Sequence, residues 1–117
     1  MTAYTNIGIY ILVLPLSYFA TSAGRSQPLE FLGALPKRDG AQIRGDLFAY
    51  CEYRDTAPIS WRPIKGQRPM FEIRTGGFRS YCVVHKLVFW VLHIGRKKDQ
   101  QRDIETAAKR MKDVFGG

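Results

Sequence analysis

The chain lacks the residue sets that announce most enzymes and metal proteins. Its only cysteines, Cys51 and Cys82, lie far apart with no CxxC or Cys/His spacing around them, so neither a zinc site nor a disulfide framework is indicated. The pair reads as buried, reduced thiols of a cytoplasmic protein. No HExxH, clustered carboxylates, GxSxG elbow or P-loop is present, which disfavours a metal-dependent nuclease, an acyl hydrolase and a nucleotide-binding site. Repeats and low-complexity tracts are absent as well. The longest apolar run, residues 7–20, is interrupted by Pro15 and falls short of the roughly 20 residues needed to span a bilayer. Ala20-Thr21-Ser22-Ala23 would suit the cleavage site of a secretory leader, but Met1 to Asn6 contain no Lys or Arg, so the basic flank of such a leader is missing. Its Ile, Val and Tyr content favours a buried strand, broken by Pro15 into an extension over 7–14 and a strand around 16–20.

What is present is one domain's worth of ordinary globular composition: 117 residues, 45% hydrophobic and 24% charged. A chain of this size buries about two-thirds of its unfolded surface, enough for one core. The expected division is an apolar extension or extra strand over 1–15 and a single domain over 16–117. Charge is distributed unevenly. Up to Trp61 acidic and basic residues cancel, so the formal +8 lies wholly in the second half. A positive field of that density attracts polyanions.

Hydrophobic periodicity gives the elements. Ser26-Gln27-Pro28 supplies a helix N-cap and a first-turn proline, Leu29, Leu32 and Leu35 recur at helical spacing, and Leu35-Pro36 stops the helix. A second helix from about Asp39 to Tyr53 aligns Ile43, Leu47, Tyr50 and Cys51 in one stripe, which makes Cys51 a packing residue. Pro58, Pro63, Gly66 and Pro69 mark an irregular stretch. From Met70 the period becomes 2, giving strands around 71–74, 78–85 and 88–94 with a Gly76-Gly77 turn. A last helix from Arg102 to Phe115 aligns Ile104, Ala107, Ala108, Met111 and Phe115, with Lys109, Arg110 and Lys112 outside. The order β-α-α-β-β-β-α predicts an α+β fold with an antiparallel sheet and helices packed on one face.

Residues 72–115 resemble the C-terminal half of the RelE/ParE toxin superfamily, in particular the phage-derived HigB-like branch. Glu72 and Arg74 on one strand, Gly77 at the turn, the Phe78-Arg79 pair, Leu92-His93 at a strand end, Lys97-Lys98, Ala107 and Lys109-Arg110 follow that branch's order. Upstream, residues 18–36 resemble its opening strand, Gly-Arg-Ser turn and Leu-Pro helix end. The resemblance implies a RelE-like fold and a type II toxin that cuts mRNA without a metal or other cofactor, commonly on the ribosome. It also implies a helix-turn-helix antitoxin as partner, a toxin–antitoxin hetero-oligomer and no membrane. The chain departs from the pattern at Cys82 and Asp103, where members carry tyrosines, and in a short 98–102 loop without proline. The general acid and base therefore stay unassigned.

Ribose 2′-oxygen attack on the adjacent phosphate needs a proton acceptor, cations for the phosphorane and a donor for the 5′ oxygen. Strand alternation puts Glu72 and Arg74 opposite Phe71 and Ile73, and Arg79 and Tyr81 opposite Phe78 and Cys82. With Trp90, Leu92 and Ile94 facing inward, His93 faces outward. The expected catalytic residues are Arg79, Arg74, His93 and Tyr81, with Arg79 foremost because no acidic partner is evident for it. Arg96, Lys97, Lys98 and Arg102 are expected to bind RNA beside them. The alternative is a non-catalytic basic nucleic-acid-binding module or a phage-derived structural protein of the same fold.

Overall fold

A computed structural model describes residues 2–4 and 10–116, with side chains from Val13 onward. Two three-residue strands near the N-terminus form a separate ribbon: β1 (Thr2–Tyr4) pairs antiparallel with β2 (Tyr10–Leu12). The part of the expected 7–14 strand that falls on residues 7–9 lies outside the described residues. The remaining elements are β3 (Leu16–Tyr18), α1 (Gln27–Ala34), α2 (Lys37–Tyr53), β4 (Ser60–Pro63), β5 (Phe71–Thr75), β6 (Phe78–His85), β7 (Val88–Arg96) and α3 (Gln100–Gly116). They build an α+β domain around a five-stranded mixed sheet of order β3-β7-β6-β5-β4. Only β3 and β7 run parallel within it, which corrects the expected antiparallel sheet; the two strands are far apart in sequence, so no tight turn dictates their direction.

The helices begin and end where local chemistry directs. Ser26 caps α1 through its hydroxyl and Pro28 sits in the first turn. Ile43, Leu47, Tyr50 and Cys51 all turn inward from α2. β4 answers to no periodicity; it forms where a short, proline-ended segment adds to the exposed edge of β5. Trp61 anchors it by packing edge-on against Tyr50 and Phe71.

The helices occupy both faces of the sheet, which corrects the one-face expectation. Leu32 of α1 and the α2 stripe pack with Phe71, Ile73, Cys82, Phe89, Val91 and Ile94 on one side. Ala107 and Met111 of α3 pack with Tyr81, Val83 and Leu92 on the other, together with Ile64 and Met70. Both sides of β6 and β7 are therefore buried, and the residues on them read as nearly continuous apolar runs.

One irregularity reassigns a side chain. β6 and β7 pair as Cys82↔Val91 and then Tyr81↔His93, leaving Leu92 without an opposite residue. This bulge inserts one position into the alternation, so Ile94 joins Phe89 and Val91 on the α1–α2 side while Leu92 joins the α3 side. The expectation that Trp90, Leu92 and Ile94 share a face is thus corrected. Beyond the end of β3, Gln27 acts as a substitute strand: its amide donates to the Ile94 carbonyl at 2.7 Å and accepts from the Ile94 N–H at 3.2 Å.

Candidate functional site

Three strands carry one polar layer to the α3 side of the sheet. Glu72 on β5 stands opposite Tyr81 on β6, and Tyr81 opposite His93 on β7; Arg74 and Arg79 form the adjoining cross-strand pair. Alternation delivers Glu72, Arg74, Arg79 and Tyr81 to this side, and the bulge delivers His93. The structure therefore gathers Arg74, Arg79, Tyr81 and His93 on one face, but beneath the first turns of α3.

Glu72 is the centre of the layer and is only 1% exposed. Arg74 Nε donates to its Oε2 at 2.6 Å, and the Nε atoms of Arg62 and Arg79 each lie 3.7 Å from that oxygen. Gln100, at the start of α3, donates to Oε1 at 2.9 Å. A buried carboxylate left alone would cost several kcal/mol, and three guanidinium groups more than compensate it, leaving positive charge in excess. Arg79 is itself buried; its Nη1 donates to the Gly76 and Phe78 carbonyls at 2.8 and 2.9 Å, while its Nε makes no hydrogen bond. The idea that Arg79 has no acidic partner is corrected by Glu72. A cleft of about 360 Å³ opens beside this cluster, lined by Arg62, Lys65, Glu72, Gln100 and Ile104 among others.

His93 lies at the other end of the layer. Its Nε2 is 3.0 Å from Asp103 Oδ1, and Arg110 Nη1 is 2.9 Å from its Nδ1. A guanidinium only donates, so Nδ1 accepts and the ring proton sits on Nε2, directed at Asp103. Burial lowers the His93 pKa below the ordinary histidine value, against the opposing pull of Asp103, and the imidazole is held neutral. Tyr81, wholly enclosed, has its ring 6.3 Å from that of His93 and a hydroxyl without a hydrogen-bond partner. Burial first, and then the charges of Glu72 and Asp103, push the Tyr81 pKa far upward; the phenol keeps its proton.

The four residues expected to hold RNA surround the end of the sheet rather than line the cleft. Arg96 stacks over Phe31 and Phe78, 5.7 and 5.3 Å from the ring centres, on the α1–α2 side. Lys97 and Lys98 are exposed in the 3-10 turn Lys97–Asp99 that leads into α3. Arg102 is exposed and lies 3.3 Å from Asp99 and 3.8 Å from Asp103.

Sequence reading did not assign Arg62, Glu72, Gln100, Asp103 or Arg110 to the site. Arg62 sits on β4, which has no periodic signature. Asp103, Ala107 and Arg110 follow one another at helical spacing, and that i, i+4, i+7 stripe was the available clue. Arg110 accordingly turns toward His93 instead of lying with Lys109 and Lys112 outside. Cys51 and Cys82 are buried, and burial raises both thiol pKa values, that of Cys51 to about 11; both serve packing.

Among the described residues, no group of three or more His, Cys, Asp or Glu is placed to hold a metal ion, and no helix is long and apolar enough to cross a membrane. No known protein family, no curated protein and no solved structure matches the chain.

Proposed function

We propose that the protein is the toxin of a type II toxin–antitoxin pair, a cytoplasmic, metal-independent endoribonuclease that cuts mRNA on the ribosome and so inhibits translation. The observation that carries this reading is the convergence of Arg62, Arg74 and Arg79 on one carboxylate at the wall of an open cleft. A phosphodiester entering the cleft competes with Glu72 for the guanidinium groups and releases a carboxylate oxygen to act as base. The ribose 2′-oxygen then attacks phosphorus, its proton passes to Glu72, and the bond to the 5′ oxygen breaks. The products are a 2′,3′-cyclic phosphate and a 5′-hydroxyl. Arg74 and Arg79 stabilise the phosphorane, where one preorganised donor is worth about 10²–10³ in rate. Tyr81, whose phenol keeps its proton, is the group in the layer able to protonate the leaving oxygen, and His93, held neutral, positions the layer beside it. The excess positive charge also suits an acidic segment of a helix-turn-helix antitoxin.

A second reading, a non-catalytic basic module that binds nucleic acid, is favoured by one observation. Tyr81 is fully buried and His93 nearly so beneath α3, so neither meets RNA unless that helix shifts.

Expression of the chain alone, with mRNA 5′ ends mapped by primer extension, separates the two. Growth arrest with new 5′ ends is expected, persisting in Lys37→Ala from the charge-neutral half. An exposed arginine tolerates Ala within about 0.5 kcal/mol, but Arg79 is buried and bonded, and its truncation costs about 1–3 kcal/mol. Arg79→Lys keeps the charge and removes the planar donor fork, and is expected to abolish cleavage with a smaller fall in melting temperature than Arg79→Ala. Arg62→Ala alters an exposed side chain and is expected to abolish cleavage without loss of melting temperature. Undisturbed growth and intact mRNA with soluble, well-expressed protein overturn the nuclease reading; RNA binding retained in that case establishes the module.

A further inference from the structure

A second cleft, of about 640 Å³, opens where the end of β3, β7 and α3 meet; its walls include Phe19, Thr21, Ser22, Trp90, Arg110 and Asp113. A smaller hollow of about 270 Å³ shares Phe19, Thr21 and Arg110 with it and adds Arg25, Gln27 and Glu30. None of these groups touches the Glu72 cluster, and their chemistry differs from it.

The walls are fixed before any ligand arrives. Phe19 extends the β3 pairing by donating its N–H to the Val91 carbonyl at 2.9 Å, and its own carbonyl accepts from the Ser26 hydroxyl at 2.7 Å. The following turn is closed by Thr21 N–H to Arg25 O and Gly24 N–H to Thr21 O, both 2.8 Å, and by Arg25 N–H to the Thr21 hydroxyl at 3.2 Å. Gly24 supports it at φ +86°, which a side chain would resist. Arg110 is held by the Leu92 carbonyl at 2.9 Å and lies 5.5 Å from the centre of the Phe19 ring.

Charge selects the class of occupant. Arg25 and Arg110 are balanced by Glu30 and Asp113, with Arg25 and Glu30 already paired at 3.0 Å. A phosphate gains little where the local charge sums to zero. A neutral planar ring carrying both donors and acceptors gains a great deal: aromatic faces at Phe19 and Trp90, donors on Arg110 and an acceptor on Asp113. The volume is in the range of sites for ligands of that size, about 300–1,000 Å³.

We propose that this cleft binds a single unstacked nucleobase of the RNA engaged by the protein. The assignment to a base rests on the RNA-directed reading above; the neutral, aromatic and hydrogen-bonding character of the cleft stands without it. Sequence-selective proteins commonly take single-stranded RNA bases in this way, stacked on aromatic rings and bonded at their edges. Arg110, on the wall of this cleft, also meets His93, which faces Asp103.

The test is an NMR titration of the unaltered full chain with adenosine, guanosine, cytidine and uridine separately. Its two tryptophans serve as probe and control. The indole N–H of Trp90 is expected to shift saturably with at least one nucleoside, while that of Trp61, packed against Tyr50 and Phe71, stays in place. Ser22→Phe, at an exposed position on the rim, is expected to abolish the shift, and Asp113→Ala to weaken binding about tenfold or more. No saturable Trp90 shift with any nucleoside overturns the proposal. So does indole binding as tightly as the preferred nucleoside, or an unaltered affinity in Asp113→Ala. Nucleoside binding without RNA cleavage sinks the nuclease reading alone, and cleavage without nucleoside binding sinks this inference alone.

Discussion

Burial and charge compete most visibly at His93. Enclosure under α3 lowers its pKa, and the Asp103 carboxylate opposes that shift without reversing it. The sign of the resulting pH dependence follows. The unfolded chain takes up the His93 proton near pH 6.5, whereas the folded protein resists it to lower pH, so this residue's contribution is complete above about pH 6.5 and is lost as the pH falls through the folded value. Thermal melting is therefore expected to shift downward between pH 7.5 and pH 5. In His93→Gln, which keeps a side chain able to donate to Asp103, the downward shift should be smaller. Parallel pH profiles for the two proteins would remove His93 as the source. The same residue shows the limit of a residue-by-residue reading. Its neighbours in sequence say that it alternates outward, and only the unpaired Leu92 places it where it is.

The element that decides access to the polar layer is α3. Its first turns are attached by Gln100 to Glu72 and by Asp103 to His93, and its middle by Arg110 to the Leu92 carbonyl. Gly95 permits the approach. A Cβ at that position would collide with the Asp103 carboxylate, so Gly95→Ala must lift the start of the helix or distort β7, at a cost of about 1–3 kcal/mol. Removing the obstructing group should relieve the strain: in an Asp103→Ala background the added cost of Gly95→Ala is expected to shrink, a coupling of the kind contacting residues show. Urea denaturation of the two single variants and the double variant measures it. Additive losses would show that the glycine serves β7 itself and not the docking of α3.

Across the whole molecule, charge is segregated as the sequence divides it. The basic residues of the second half border both the Glu72 cleft and the sheet end where Lys97 and Lys98 are exposed. Binding to single-stranded RNA is expected to weaken linearly on a log–log plot against salt, with a slope of about −0.7 for each phosphate neutralised. Lys97→Glu/Lys98→Glu should reduce both the affinity and the slope. Lys37→Glu/Arg38→Glu, on α2, should leave the slope close to that of the unaltered protein. Filter binding between low and moderate salt checks this, and equal losses in the two double variants would mean that the attraction comes from net charge alone.

The sequence by itself determined the α+β class, the helix pair broken at Leu35-Pro36, the 71–94 meander, the terminal helix and the sidedness of Arg74, Arg79 and Tyr81. Each of these rests on local rules: caps, breakers and the periods 3.6 and 2. The tertiary structure decided that α3 covers the face opposite α1 and α2, that β4 joins the edge, that a bulge turns His93 toward α3, and that Arg62, Arg74 and Arg79 share one carboxylate. The physical reason is that an alternating strand reports which residues share a side but not what will cover it. A four-residue edge strand or a single unpaired residue leaves no periodic trace. Arg79 looked partnerless because its acid lies on the neighbouring strand, where only cross-strand register brings the two together.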